Sequence, residues 1–140
     1  MIQLVVIDDD ALLLESLVDG LHVMGEFAIT AARDGAEGLR QVVQLHPDCV
    51  VVDIRMPHLD GYQFVQAIRG DTTTEDIPLV IMSALVQDRD RLQGLMSGAD
   101  QYLFKPVQLK TLIAAIHAAI QLGSTDRFEH LRHLSEGGSV

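Results

Sequence analysis

The chain has 140 residues, of which 48% are hydrophobic, and its ten basic and twenty acidic residues give a net charge of −10. This length and apolar content predict one folded domain and exclude an extensively disordered chain. The negative charge argues against direct binding to nucleic acid or to an anionic membrane, because phosphate groups attract clustered Lys and Arg. No apolar run approaches the ~20 residues of a membrane span, and the N-terminus lacks the basic start of a signal peptide, so we expect a cytoplasmic protein.

Short β-branched runs alternate along the chain with segments in which apolar residues recur at helical spacing. The runs predict strands, and the periodic segments predict helices that begin after capping or turn residues. In chain order, the predicted elements are a strand at 2–7, a helix at 11–24, a strand at 27–31, a helix at 36–45, a strand at 49–53, a helix at 62–69, a strand at 77–82, a helix at 87–97, a strand at 102–104 and a helix at 107–121.

Five strands that alternate with five helices indicate βαβ units, which form a parallel sheet with helices on both faces. Right-handed crossovers limit the possible topologies. We therefore predict an α/β fold of the flavodoxin-like, doubly wound type, with five flanking helices and the strand order 2-1-3-4-5. The second strand is expected to be short and to lie near an edge. Residues 1–122 would form this domain.

Residues 123–140 form a tail of a different character. Asp126 and Glu129 have capping-box spacing, and Phe128, Leu131 and Leu134 recur every three residues. From the sequence we therefore expect the tail to be a short helix, the start of a linker or a frayed terminus.

Polar side chains stand at the ends of four of the predicted strands. They are Asp8, Asp9 and Asp10 after the first strand, Asp53 at the end of the third, Ser83 after the fourth and Lys105 after the fifth. Ligands of an open parallel sheet bind outside the carboxyl ends of its strands, so these groups would meet at one edge. Carboxylates, a hydroxyl and an ammonium group suit a divalent metal and a phosphoryl group on a carboxylate. Asp10 is expected to cap the first helix rather than to bind metal.

Residues 53–61 read D-I-R-M-P-H-L-D-G, and Ser83-Ala84 and Lys105-Pro106 follow in order. Together with the acids after the first strand, these motifs resemble the receiver domains of two-component response regulators, over residues 2–121. Each motif alone is weak, but four motifs in register on the right elements are a strong signal. The resemblance implies a phosphorylation-activated signalling switch and not an enzyme, although a receiver takes part in its own phosphotransfer and autodephosphorylation.

The resemblance also implies the chemistry of the site. Asp53 would accept the phosphoryl group from a sensor histidine kinase or a histidine phosphotransfer protein. Mg²⁺ would be the cofactor, held by Asp8, Asp9, Asp53 and the backbone carbonyl of Arg55. Lys105 would pair with Asp53 before phosphorylation and with the phosphoryl group afterwards.

Other matching residues would transmit the signal or shape the site. Ser83 would hydrogen-bond to the phosphoryl group and move toward it, and the switch aromatic Tyr102 would turn inward when Ser83 shifts. The structural residues would be Pro57, Gly61 and Pro106, with a cis bond between Lys105 and Pro106. Phosphorylation would alter the surface of the fourth helix, fifth strand and fifth helix. This surface would control a downstream output domain or protein, and two copies could dimerise through it.

Two variable positions bear on the lifetime of the phosphorylated state. Arg55 and Leu85 flank the line of attack on the phosphoryl group, and neither side chain offers a carboxylate or an amide to orient a water. We therefore expect a persistent phosphoryl-aspartate.

Two alternative functions remain open at this point. In a haloacid-dehalogenase-type phosphohydrolase, Asp8 would be the nucleophile of a D-x-D motif, but Leu12 departs from that family and no acidic pair follows Lys105. The other alternative is a protein-binding module that is never phosphorylated. A flavodoxin-like cofactor binder fits less well, because the acids after the first strand would repel a cofactor phosphate.

Overall fold

The computed structural model describes residues 1–55, 60–84 and 98–122. Within these ranges, a five-stranded parallel sheet has the order β2-β1-β3-β4-β5, which confirms the predicted topology. The strands are β1 (Ile2–Ile7), β2 (Phe27–Ala32), β3 (Cys49–Asp53), β4 (Leu79–Ser83) and β5 (Gln101–Phe104). The helices are α1 (Ala11–Val23), α2 (Gly35–Leu45), α3 (Gly61–Arg69) and α4 (109–122). The predicted helix at 87–97 and the tail lie outside the described residues.

The central strands form because continuous β-branched runs are buried on both faces of the sheet. The side chains of 50–52 are completely buried. One face packs against α1 and α4 through a core that includes Leu17, Leu21 and Ile116. The other face packs against α2 and α3 through a core that includes Val42, Phe64 and Ile68. The strand ends that carry the polar residues are therefore fixed by two apolar layers.

Several predicted boundaries differ from the structure by one or two residues. β2 lies at the edge as predicted, but it is as long as β1, because it pairs with β1 along all six residues. β4 begins at Leu79 because Ile77 N–H donates to Thr74 O in a turn and Pro78 has no N–H to donate. α4 begins at residue 109 and not 107, since the first intrahelical hydrogen bond runs from Leu112 N–H to Gln108 O.

Aspartates begin the first three helices. Asp10 Oδ1 accepts a hydrogen bond from Leu13 N–H at 3.1 Å, which confirms its capping role. Asp34 caps α2 by accepting from Glu37 N–H. Asp60 forms a capping box with Gln63 at the start of α3.

Hydrogen bonds from Arg69 stabilise the amino ends of β4 and β5, which lie at the opposite end of these strands from Ser83 and Lys105. Arg69 donates to Gly98 O at 2.9 Å and to Ile77 O at 2.7 Å, and it pairs with Asp100 at 3.1 Å. The same Asp100 oxygen accepts from Leu79 N–H. These bonds connect the end of α3 to the start of β4 and to the segment that leads into β5.

Cys49 is buried, and this burial, with Asp100 nearby, raises the pKa of its thiol to about 12. The thiol is therefore unreactive near neutral pH. In the described ranges, no helix is both long and apolar enough to cross a lipid bilayer.

Candidate functional site

Asp53 lies at the carboxyl end of the central strand β3, and only 4% of its surface is exposed to solvent. Its Oδ2 lies 3.2 Å from Lys105 Nζ, and its Oδ1 accepts a hydrogen bond of 3.3 Å from Arg55 N–H. The helix that follows comes very close, because a Cβ at Gly61 would lie 2.6 Å from Ile54 Cα. Only glycine allows this approach, so Gly61 helps to shape the site.

Lys105 is brought to the same edge by β5. Its backbone N–H donates to Ser83 O at 2.6 Å, and the Lys105–Pro106 bond is cis, as the resemblance implied. Its Nζ contacts two carboxylates, Asp53 at 3.2 Å and Asp8 at 3.1 Å. The contact with Asp53 was expected, whereas the equally short contact with Asp8 was not.

Three carboxylates converge beside Lys105. Asp8, Asp9 and Asp53 each offer one oxygen, and these oxygens lie within 4.8 Å of one another. Asp8 is fully buried and Asp9 is exposed. Asp8 Oδ1 also accepts a hydrogen bond from Asp10 N–H, which fixes its orientation. Hard oxygen donors with one solvent-facing side suit Mg²⁺, which retains several waters when it binds to proteins.

The electrostatics of the cluster reflect its excess negative charge. Burial raises the pKa of Asp53, and the Asp8 carboxylate raises it further, while Lys105 opposes both effects. Burial alone would lower the pKa of Lys105, but Asp53 and Asp8 outweigh burial and raise that pKa. The ammonium is therefore firmly protonated at neutral pH, and the ionised form of Asp53 is held at a cost in free energy.

Ser83 and Tyr102 lie on the neighbouring strands. Ser83 is completely buried at the end of β4, where it pairs with Phe104 in the ladder. The Tyr102 ring is 8% exposed and stacks edge-on against Phe104 at 5.4 Å between centroids. Its hydroxyl has no hydrogen-bond partner within the described part of the chain. The ring is therefore already inward in this structure, whereas the sequence predicted that it would turn inward after a shift of Ser83.

Some predicted site features stay predictions. Pro57 and Leu85 lie outside the described residues. The Arg55 side chain is exposed, in agreement with a role that uses only its backbone carbonyl. The sequence analysis missed the Asp60 capping box, although the spacing of Asp60 and Gln63 could have revealed it.

A mostly apolar cleft adjoins Lys105 and was not predicted. It has a volume of about 380 Å³. Its lining residues come from α1, β4 and the segment after β5: Leu13, Leu17, Met82, Lys105, Pro106 and Val107. Leu12, at the start of α1, is 80% exposed. Lys105 lines the cleft and also contacts Asp8 and Asp53, so the cleft is linked to the carboxylate cluster through this side chain.

Comparisons with known sequences agree with these features. A profile of the family described as response regulator receiver domain matches residues 4–117. The chain is 43% identical over 124 residues to the transcriptional regulatory protein PrrA of Mycobacterium tuberculosis, and the match covers 88% of this chain and 52% of that protein. It is 35% identical over 134 residues to the DNA-binding dual master transcriptional regulator RpaA of Synechocystis, with 96% and 54% covered. The chain thus spans about half the length of these curated relatives.

Solved structures give the same result. The receiver domain of the Francisella response regulator 1452 matches with a TM-score of 0.80 and 30% identity, covering 86% of this chain and 98% of that one. A response regulator receiver domain protein from Clostridium thermocellum matches with a TM-score of 0.78 and 28% identity, covering 94% and 99%.

Proposed function

Because the chain belongs to the response regulator receiver domain family, a signalling family and not one of catalytic enzymes, we propose that it is a switch activated by phosphorylation of Asp53. The observation that carries this proposal is the convergence of Asp53, Lys105 and two further carboxylates at the carboxyl end of β3. The phosphoryl donor would be a histidine kinase or a histidine phosphotransfer protein.

Asp53 has the properties of an oriented nucleophile. One oxygen is held by Arg55 N–H and the other by Lys105 Nζ, so the direction of the carboxylate is fixed. An oxygen lone pair of Asp53 would attack phosphorus in line with the departing histidine nitrogen, and the phosphorus–nitrogen bond would break as the phosphorus–oxygen bond forms. Lys105 would stay close to the transferred group and offset its negative charge.

Asp8, Asp9, Asp53 and the Arg55 backbone carbonyl would hold Mg²⁺. The fit rests on three carboxylate oxygens within 4.8 Å of one another. Bound Mg²⁺ would supply charge neutralisation for the phosphoryl oxygens. The protein's own contribution is to fix these oxygens, because Asp8 is buried and hydrogen-bonded to the backbone of Asp10.

The signal would leave the site through β4 and β5. Ser83 would hydrogen-bond to a phosphoryl oxygen, and its backbone carbonyl is already tied to Lys105 N–H. Tyr102 stands two residues before Phe104, the ladder partner of Ser83 on β5, and its buried hydroxyl has no hydrogen-bond partner among the described residues. A shift of Ser83 would therefore be passed to Tyr102 through the ring of Phe104, which packs against it.

The wider partners are also part of this proposal. The output would be a further domain or a separate protein, since two curated relatives of about twice this length are named as transcriptional regulators. The net charge of −10 disfavours direct nucleic-acid binding by this domain. We further propose cytoplasmic location, dimerisation through β5 and the helices beside it, and a persistent phosphoryl-aspartate.

The hydrolase alternative would need Asp8 as the nucleophile. Asp8 is fully buried, one oxygen accepts from Asp10 N–H and the other pairs with Lys105. Asp53 is closer to solvent and stands at the end of the central strand, so it is the better acceptor. Nothing in the comparisons favours the hydrolase or a module that is never phosphorylated.

The direct test is to incubate the protein with Mg²⁺ and acetyl phosphate, and then to measure intact mass and map the modified residue. We expect one acid-stable, base-labile phosphoryl group on Asp53, absent with EDTA and absent in Asp53→Asn. Asp8→Asn should slow the labelling but leave Asp53 as the acceptor. Label on Asp8 with steady phosphate release would instead favour the hydrolase. No label, with Mg²⁺ binding confirmed, would favour the binding module.

A second experiment tests whether the phosphoryl donor docks in the cleft beside Lys105. An apolar surface next to the acceptor suits a helix of the donor protein, because docking there brings the phosphohistidine to Asp53. Leu13→Ser, which changes a half-buried residue that lines the cleft, should slow transfer from a phosphorylated donor protein but leave labelling by acetyl phosphate unchanged. Val43→Ser, which changes a 46% exposed residue of α2, is the matched control and should leave both reactions unchanged.

A further inference from the structure

The connection between β1 and α1 consists of only three residues, and all three are aspartates. β1 ends at Ile7, and α1 begins at Ala11. Asp8 and Asp9 belong to the carboxylate cluster, whereas Asp10 caps α1. Asp8 is fully buried, while Asp9 and Asp10 are exposed. Because the connection is so short, the position of each aspartate depends on its neighbours.

The backbone of this connection is held at both ends. At one end, Asp8 N–H donates to Ala32 O at 3.1 Å, which continues the pairing of β1 with β2. At the other end, Asp10 O accepts a hydrogen bond of 2.9 Å from Leu14 N–H in the first turn of α1. Asp9 is the single residue between these two anchors, so the sheet and the helix fix its backbone from either side.

Asp10 connects the cap of α1 to the carboxylate of Asp8. Its backbone N–H donates to Asp8 Oδ1 at 2.9 Å, while its own side chain accepts from Leu13 N–H at 3.1 Å. The cap stabilises the extended backbone of Asp10, with φ −79° and ψ 103°, in which the N–H is directed at Asp8. Since Lys105 Nζ lies 3.1 Å from Oδ2, both oxygens of Asp8 have a fixed partner.

We propose that Asp10 is a positioning residue of the Mg²⁺ site, which orients the carboxylate of Asp8 through its helix cap and its backbone N–H. This role rests on the proposed function, because Asp8 is a ligand only if the site binds metal. Partners that hold a metal ligand in orientation raise the affinity for the metal. The role depends on the cap and not on the charge of Asp10, since asparagine caps a helix as well as aspartate does.

The Mg²⁺ affinity of three full-length variants separates the cap from the charge. Asp10→Ala removes both, and we expect it to weaken Mg²⁺ binding about tenfold, as the loss of a partner of a metal ligand does. Asp10→Asn removes the charge but keeps the cap, so its affinity should stay within about twofold of the original. Asp34→Ala is the matched control, because it removes one negative charge and the cap of α2, and it should leave the affinity unchanged. Isothermal titration calorimetry with MgCl₂ measures these affinities, and circular dichroism verifies that each variant is folded.

A second measurement, without metal, tests the hydrogen bond to Asp8 directly. In EDTA, amide hydrogen exchange followed by NMR gives the protection of the residue 10 N–H relative to a short peptide of the same sequence. Without the cap, this N–H leaves Asp8 more often, so we expect protection about fivefold lower in Asp10→Ala than in the original protein. Asp10→Asn and Asp34→Ala should keep the original protection.

Four results would overturn this role of Asp10. They are Mg²⁺ affinity that is unchanged in Asp10→Ala, protection in EDTA that is unchanged in Asp10→Ala, and affinity that falls equally in Asp10→Asn or equally in Asp34→Ala. Equal loss in Asp10→Asn would assign the effect to charge, and equal loss in Asp34→Ala would assign it to a general loss of stability.

The proposed function fails in a different way. If the original protein did not bind Mg²⁺, the metal site would be refuted and this role with it, even where exchange in EDTA shows the expected difference. Binding by the original protein, without a difference between Asp10→Ala and Asp10→Asn, would overturn the role of Asp10 alone.

Discussion

Replacement of the buried Asp53 carboxylate by an amide, Asp53→Asn, is expected to stabilise the Mg²⁺-free protein at pH 7. The change removes one negative charge from a cluster in which Lys105 is the ammonium shared by Asp53 and Asp8. Asparagine keeps the shape of the side chain, and its carbonyl oxygen can still accept from Arg55 N–H and from Lys105.

The size of the effect follows from the geometry. With an effective dielectric constant near 20, a 3.2 Å contact with Lys105 is worth about 5 kcal/mol of attraction to Asp53. Repulsion from Asp8, at 4.8 Å or less between carboxylate oxygens, offsets at least about 3.5 kcal/mol of it. Burial of the charge costs several kcal/mol, which exceeds the remaining net attraction of at most about 1.5 kcal/mol. We therefore expect a gain of about 1–3 kcal/mol in the free energy of unfolding.

The pH dependence of this gain has a definite sign. The pKa of Asp53 is raised in the folded state by burial and by Asp8, above its ordinary value of 3.8. The penalty for the ionised group is fully present above that raised pKa and disappears as the pH falls toward 3.8. The advantage of the variant should therefore be largest at pH 7 and shrink on acidification.

Urea unfolding at pH 7 and pH 4.5, with EDTA or with saturating MgCl₂, measures these quantities. A ligand at 100 times its dissociation constant stabilises by about 2.7 kcal/mol, so Mg²⁺ should bring the original protein level with the variant or above it. Asp71→Asn is the control, because hydrogen bonds from Thr73 lower the pKa of Asp71 and its neutralisation should bring no gain. If the Asp53→Asn variant were less stable than the original protein without Mg²⁺ at pH 7, or if its gain were independent of pH, this electrostatic reasoning would be refuted.

Substitutions at three further positions test the structure around the site by urea unfolding. Tyr102→Phe removes a buried hydroxyl that lacks a partner in the described residues, so it should be neutral or stabilising by about 1 kcal/mol, and a loss above that would reveal a missed hydrogen bond. Gly61→Ala puts a methyl group 2.6 Å from Ile54 Cα and should cost about 1–3 kcal/mol; an unchanged midpoint would contradict the close approach. Asp10→Ala removes the cap on Leu13 N–H and should cost about 1 kcal/mol, whereas Asp10→Asn should cost much less.

The sheet could be predicted because its signals are local. The apolar runs of β1 and β3 both lead into an aspartate, Asp8 and Asp53, and the bounds of both strands were correct. The start of β4 was missed because Ile77 is apolar yet belongs to a turn, and only the backbone hydrogen bond to Thr74 reveals this. Periodicity identifies which residues are buried, whereas strand boundaries depend on where the ladder hydrogen bonds begin.

Two kinds of evidence in the sequence predicted the site: the motif resemblance and the positions of polar residues at strand ends. Both place Asp53 and Lys105 at one edge, but neither gives the second contact of Lys105, with Asp8, across 97 residues of sequence. The buried hydroxyl of Tyr102 depends on the packing of its ring against Phe104. These features arise from three-dimensional packing, which cannot be derived from the composition of the chain or from the spacing of its residues.

The folded domain tolerates an electrostatically costly site because its stability comes from elsewhere. Two apolar layers fix the sheet, so the ends of β1 and β3 hold their carboxylates in place even though the charges repel each other. A single ammonium between Asp8 and Asp53 cannot neutralise both carboxylates. A phosphoryl group on Asp53 would add negative charge and compete with Asp8 for Lys105. Under the proposed function, a bound cation would offset this residual charge before phosphorylation, and the contacts of Lys105 would change after it, which would couple the chemistry at Asp53 to the position of β5.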